Sequence, residues 1–427
     1  MPHSTEPDDL SVYDRLRRSD AELEAWLAAG THQHEVIACL GEAEYALLLP
    51  IAQAAANRPP RSDCHVFLLA GIMGSQLGRP RALPWPANLV WLDPMDVMAG
   101  RLRELRLPDE QPLQPMQPLG TITYTNYALK LRLQAAGFAV TMHHYDWRQP
   151  IATLGAQLAG QLRESSAETI YLVGHSMGGL VARAAMTQPD TERVKRAVLI
   201  GTPNHGTFAP VQALRGTFPS VRRLAAMDHL HTAEMLAEIF ATFPSLYDMM
   251  PHDEKLTDLP LFDAATWPAA GPQPSVAQLR QSRGIADWRS ARDQRCCCIV
   301  GTQQRTVTGI ARRGDDFVYT VSSRGDGTVP AASATLTDER NYFLTGEHSN
   351  LPRNVAVAQA VVELINTGRC ESLPSRAAPP IGAEVQVSDT VLRTTYVDKI
   401  DWRALSPEQR GMYLNQLNLA PPQYASP

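Results

Sequence analysis

The run Gly174-His175-Ser176-Met177-Gly178 constrains this chain more than any other five residues. It follows the continuous apolar stretch TIYLV (169–173) and opens a stretch of helical periodicity, so it must make a sharp strand-to-helix turn. Such a turn strains its central residue and crowds the neighbours, hence glycine two positions to either side. Ser176 is thereby lifted above the carboxyl edge of a sheet, beside a helix N-terminus that favours negative charge. A bare G-x-S-x-G is a weak signal, and a Gly-rich turn with an incidental serine is the alternative. The strand before it and the helix after it make Ser176 a candidate nucleophile.

Around this turn, short apolar runs alternate with helical patterns. HVFLLA (65–70) is the first expected strand, stopped by Gly71. FAVTM (138–142) follows a helix over 127–136, and TIYLV follows a helix over 151–164. RAVLI (196–200) follows the helix that begins just after Ser176. Continuous apolar strands separated by helices mean a parallel sheet covered on both faces.

After Gly201 the pattern changes. Residues 207–294 carry helices and proline-rich loops but no strand, and CCCIV (296–300) then resumes the sheet. This stretch reads as an insertion in the position of a lid or cap. A hairpin around FVYTV (317–321), a last strand near 342–344 and a helix over 355–365 follow. The expected organisation is an N-terminal helical extension (1–60), a sheet domain (61–371), and a Pro-rich linker and tail (372–427). The tail holds one helix, with Ser406 as N-cap, Pro407 at the first helical position and Gln409 completing a capping box. A chain of 427 residues, 44% hydrophobic and 19% charged, can bury a core of that size.

Charge and composition exclude several classes. A net charge of −5 leaves no nucleic-acid footprint and no cationic field for an anionic membrane. The longest apolar stretch, 45–56, is interrupted by Pro50 and Gln53, so no membrane-spanning helix is expected. MPHSTEPDDL lacks a basic segment followed by an apolar core, which points to a cytoplasmic location. The six cysteines have no metal-ligand spacing, and Cys296, Cys297 and Cys298 would alternate between the faces of a strand. Buried apolar thiols in a reduced compartment are expected, with no metal and no cofactor.

A nucleophilic serine needs a base, and the base needs an orienting carboxylate. Asp326 lies in Gly325-Asp326-Gly327-Thr328-Val329-Pro330, and His348 lies in a loop after the last strand. Both therefore fall where strand ends converge, in the chain order Ser, Asp, His. The plainer reading of Asp326 is a hairpin-turn residue, since Asp-Gly is a common turn. Glu347 is the rival acid, but it adjoins His348 and would struggle to reach its ring. His229, His231 and His252 lie inside the insertion, which leaves His348 the stronger candidate base. Two backbone donors must face the developing oxyanion. The N–H of Met177 supplies one, and the loop Gly71-Ile72-Met73-Gly74-Ser75 the second, though spacing alone does not single out which of its amides.

Taken together, HVFLLAGIMGSQL, VWLD (90–93), YDWR (145–148), GHSMGG, GTPNHGT (201–207), SLYDMMP (245–251), GDGTVP and EHSNL form an ordered series. Over residues 62–368 it resembles the lecithin:cholesterol acyltransferase family, which includes phospholipid:diacylglycerol acyltransferases and lysosomal-type phospholipases A. The resemblance implies an α/β-hydrolase fold of the α/β class, with a mostly parallel central sheet, helices on both faces and a helical lid. It implies Ser176, Asp326 and His348 as the triad, Met73 and Met177 as the oxyanion hole, and Trp91 beside the acyl chain. Animal members carry a disulfide that pins the lid, whereas no cysteine lies between Cys64 and Cys296 here.

Asp146 and Arg148 either bind substrate at the pocket rim or bridge the strand end to neighbouring loops. His205 either touches the acyl pocket or is held structurally. Met235, Leu236, Ile239, Phe240 and Phe243 fall at helical spacing and either line an acyl groove or form ordinary lid core. The expected function is a serine acyl hydrolase or acyltransferase on lipid esters. An esterase or thioesterase on a non-lipid acyl group, or a non-catalytic binding module, are the alternatives. Expected partners are the acyl-ester substrate, a membrane surface touched transiently by the lid, and a protein docking on the C-terminal tail, with no nucleic acid.

Overall fold

The computed structural model describes residues 20–80, 88–108, 114–122, 126–252, 256–283, 287–291, 293–336, 340–395, 398–417 and 421–424. The N-terminal decapeptide that bears on location lies outside them. The described residues form β1 (Cys64–Leu69), β2 (Ser75–Arg79), β3 (Asn88–Trp91), β4 (Gln117–Thr121), β5 (Ala139–His143) and β6 (Thr169–His175). They continue with β7 (Val194–Ile200), β8 (Cys296–Thr302), β9 (Thr306–Arg313), β10 (Asp316–Ser322), β11 (Asn341–Thr345) and β12 (Val385–Ser388).

Six strands pair, all parallel, in the order β11-β8-β7-β6-β1-β5. Their side chains alternate between two cores, as the strand period requires. Phe67, Leu69, Leu172 and Leu199 pack with the helices Ile151–Glu164 and Met177–Met186. Val66, Leu68, Val173 and Val198 pack on the other face with the helices Tyr127–Ala135 and Val355–Thr367. Full burial of each such aliphatic side chain stabilises the fold by roughly 1.5–3 kcal/mol. The cysteine run obeys the same alternation: Cys296 and Cys298 enter one core and Cys297 the other. Between β7 and β8 the chain is helical, with Ala209–Leu214, Pro219–Met227, Ala233–Phe240, Pro244–Asp248, Val276–Arg283 and Asp287–Ser290.

Two antiparallel sheets, β3-β2-β4 and β12-β10-β9, lie outside the parallel one. The hairpin expected around 317–321 belongs to the second of these. Sequence periodicity misses β2 and β4 because SQLGR and QPLGT are short and interrupted by Gly78, Pro118 and Gly120. It also misses β12, four residues long, so the tail holds more than the single expected helix.

The tail is tied to the helical insertion through a fully buried ion pair. Arg215 Nε donates to Asp389 Oδ2 at 3.0 Å, and Tyr319 Oη donates to Asp389 Oδ1 at 2.9 Å. The helix Pro407–Asn415 has the expected cap, with Ser406 Oγ accepting from the Gln409 N–H and the Gln409 side chain accepting from the Ser406 N–H. At the other terminus the helices Asp20–Ala29, Gln33–Leu40 and Glu42–Ala56 pack on Tyr127, Ala128 and Leu131. Among the described residues no helix is long and apolar enough to cross a membrane.

Candidate active site

β6 ends at His175 and the next helix starts at Met177, leaving Ser176 alone to make the turn. Its backbone sits at φ 55°, ψ −127°, a conformation that L-residues rarely adopt. The strain is held by close packing beneath. A Cβ on Gly178 would lie 2.5 Å from the Ala70 carbonyl oxygen, and one on Gly71 would lie 2.9 Å from Ser176 Cβ. Only glycine lets the first-strand loop approach the serine so closely.

His348, in the short helix His348–Arg353 after β11, brings Nε2 to 2.9 Å from Ser176 Oγ. Its Nδ1 lies 2.7 Å from Asp326 Oδ2. Asp326 in turn is fixed by the N–H groups of Thr328 and Val329, which donate to Oδ1 at 3.0 and 2.7 Å. The His348 N–H donates to the Asp326 carbonyl at 2.8 Å. A carboxylate at Nδ1 keeps the ring proton there and leaves the Nε2 lone pair for the serine hydroxyl. Glu347 points elsewhere: its Oε2 accepts from Asn350 Nδ2 at 3.0 Å, and burial raises its pKa.

The fold is that of an α/β-hydrolase. Residues 143–234 match the family described as PGAP1-like alpha/beta domain. No curated protein matches the chain. Among solved structures it is similar to a chain of the Tle4–Tli4 complex, at 13% identity over 71% of this chain and 98% of that one, with a TM-score of 0.44. It is similar to the mature lipase BlEst2 of Bacillus licheniformis, at 15% identity over 68% and 86% of the two chains (TM-score 0.33). Phospholipase PlaB from Legionella pneumophila is similar at 10% identity over 64% and 45% (TM-score 0.31).

A cavity of about 180 Å³ opens over Ser176 and His348. Its walls are mainly apolar: Met73, Trp91 and Trp147 on one side, and Phe218, Val221, Leu224, Phe240, Phe243 and Leu246 from the helical insertion. Met73 adopts φ 66°, and its carbonyl accepts from Trp91 Nε1 at 2.9 Å, which fixes the loop that follows β1. Met177 begins its helix, so its N–H has no carbonyl one turn back to bond. Trp91 is buried and lines the cavity.

Asp146 and Arg148 do not line it. Arg148 Nε and Nη2 each donate to Asp146 at 2.8 Å, and Nη1 donates to the Leu105 carbonyl at 2.8 Å. The pair clamps the loop that presents Trp147, whose Nε1 donates to the Ser75 carbonyl at 3.0 Å. His205 is likewise outside the lining. Of the expected stripe, Phe240 and Phe243 face the cavity, Leu236 and Ile239 are core, and Met235 is exposed.

Three features escaped sequence reasoning. Trp147 stands inside YDWR, flanked by the charges that drew attention instead. His175 is buried under His348: its Nε2 donates to the His348 carbonyl at 3.0 Å, and burial holds its pKa well below 6.5. It is therefore neutral, with the proton on Nε2. Leu414 and Leu417, from the far C-terminus, complete the cavity wall. Among the described residues no group of His, Cys, Asp or Glu could hold a metal ion. The cysteines described are free and buried, and burial pushes the Cys296 thiol up to about 12.

Proposed function

We propose that this chain is a serine acyl hydrolase that cleaves esters with an apolar acyl chain. The observation that carries the reading is the bonded line Asp326–His348–Ser176, at 2.7 and 2.9 Å, under an apolar cavity. His348 Nε2 takes the Ser176 proton as Oγ attacks the acyl carbonyl carbon. The resulting oxyanion is stabilised by the N–H groups of Met73 and Met177. Collapse breaks the ester bond, and the leaving alcohol receives the proton from His348. Water, or a second alcohol in the acyltransferase version, then attacks the acyl-serine with His348 again as base. The ordered motifs GHSMGG, GDGTVP and EHSNL, in the pattern of the lecithin:cholesterol acyltransferase family, support a lipid ester. Leu230 and Met235, 62% and 43% exposed on the insertion, offer an apolar contact for a lipid surface.

The test is mass spectrometry of products after incubation with a mixed lipid extract, with alcohol acceptors and acyl-thioesters as separate arms. Free fatty acid from ester lipids, absent with Ser176→Ala, is the expected result. Release from thioesters alone would contradict the lipid-ester reading, and no acyl release from any substrate would contradict the enzyme.

A further inference from the structure

The leaving alcohol must sit where His348 can hand it a proton, beside Ser349 and Asn350 on the same loop. The acyl chain needs the apolar lining of the same cavity. Part of that lining is shared between the insertion, through Val221 and Leu224, and the C-terminal segment, through Leu414 and Leu417. These residues are separated by about two hundred positions in the chain. What joins them is specific: Tyr413 Oη donates to the Arg223 carbonyl at 2.8 Å, pinning the helix Pro407–Asn415 to the helix Pro219–Met227. Arg410 fixes the same helix from below, with Nε donating to the carbonyl of the fully buried Trp402 at 3.1 Å. Leu417 is itself buried, at 9% exposure.

We infer that the C-terminal helix is a working wall of the acyl site, and that Leu414 and Leu417 set the length of acyl chain the enzyme accepts. The inference rests on the serine acyl hydrolase reading. Filling part of an apolar pocket leaves less room for a long chain, and one methylene in such a pocket changes kcat/KM by roughly tenfold or more. A widened wall admits longer chains.

The experiment is turnover of 4-nitrophenyl esters from acetate to palmitate by the wild type and by Leu414→Trp, Leu417→Trp and the double Leu414→Ala/Leu417→Ala variant. Urea midpoints establish that each is folded, and an alkyl fluorophosphonate followed by peptide mass spectrometry reports Ser176 directly. The tryptophan variants are expected to lower the ratio of long-chain to short-chain kcat/KM by at least about tenfold, mostly through KM. The double alanine variant is expected to move the optimum to longer chains, and it carries the test if the tryptophan variants do not fold. An unchanged chain-length profile in folded variants overturns the inference while leaving the hydrolase reading intact. A wild type that turns over no ester and takes no fluorophosphonate overturns the hydrolase reading, and this inference with it.

Discussion

His175 Nε2 donates to the carbonyl oxygen of His348 at 3.0 Å, so the residue before the candidate nucleophile holds the backbone of its base. His175→Phe keeps an aromatic ring, a somewhat larger one, and removes the donor, leaving a buried carbonyl without that bond. The expected stability loss is about 1–3 kcal/mol. As a positioning residue, His175 should also influence kcat: a fall of about tenfold at little change in KM, with a displaced pH–rate profile. Lower stability with kcat and its pH profile unchanged would mean that the bond only supports the fold.

Burial makes stability depend on pH in a definite direction. It lowers the pKa of His143 to about 4 and that of His175 well below 6.5. In the unfolded chain both take a proton near pH 6.5, so below that pH the unfolded state binds more protons and stability falls. Each group contributes up to about 1.4 kcal/mol per pH unit once its unfolded form is protonated, and for His143 this ends near pH 4. Urea midpoints from pH 7.5 to 5 should therefore fall less steeply for His143→Gln than for wild type, the other titrating groups cancelling. Parallel curves would contradict the account.

The packing beneath the turn leaves no room for a methyl group. In Gly178→Ala the new Cβ would lie 2.5 Å from the Ala70 oxygen and 2.6 Å from the Leu69 oxygen, both backbone atoms that cannot swing aside. A loss of about 1–3 kcal/mol is expected. Gly160→Ala is the control: in the helix Ile151–Glu164 its Cβ would meet nothing nearer than Arg163 Nη2 at 3.9 Å. That change should stabilise by up to about 1 kcal/mol. Equal effects of opposite expectation, measured by thermal melts, would show the turn to be looser than described.

The tail should be integral to the fold. Asp389→Ala removes the carboxylate that neutralises Arg215, whose side chain is fully buried, and a cost of about 3–5 kcal/mol is expected in urea unfolding. A change below about 1 kcal/mol would mean that the pair is solvated in solution and the tail only loosely attached.

Much of this architecture was legible because its signals are local. TIYLV, RAVLI and CCCIV are unbroken runs, and the alternation of Cys296, Cys297 and Cys298 follows from the strand period alone. Ser176, Asp326 and His348 could be nominated from turn chemistry and chain order, and they lie within hydrogen-bond reach of one another. What was not legible depends on contacts distant in sequence. Nothing near Leu414 says that it shares a cavity wall with Leu224, and nothing near His175 says that it lies under the His348 carbonyl. Arg148 also donates to the carbonyl of Leu105, which no motif contains. β2, β4 and β12 were too short or too interrupted for period to reveal them.

The central claim is that Ser176 attacks the acyl carbon with His348 as its base. Its most direct test is the rate of release of 4-nitrophenol from a 4-nitrophenyl ester by wild type and by Ser176→Ala, at equal concentrations of folded protein. The account predicts a fall toward background, as much as about 10⁶-fold where a triad serine carries the chemistry. Equal rates in the two proteins would contradict it.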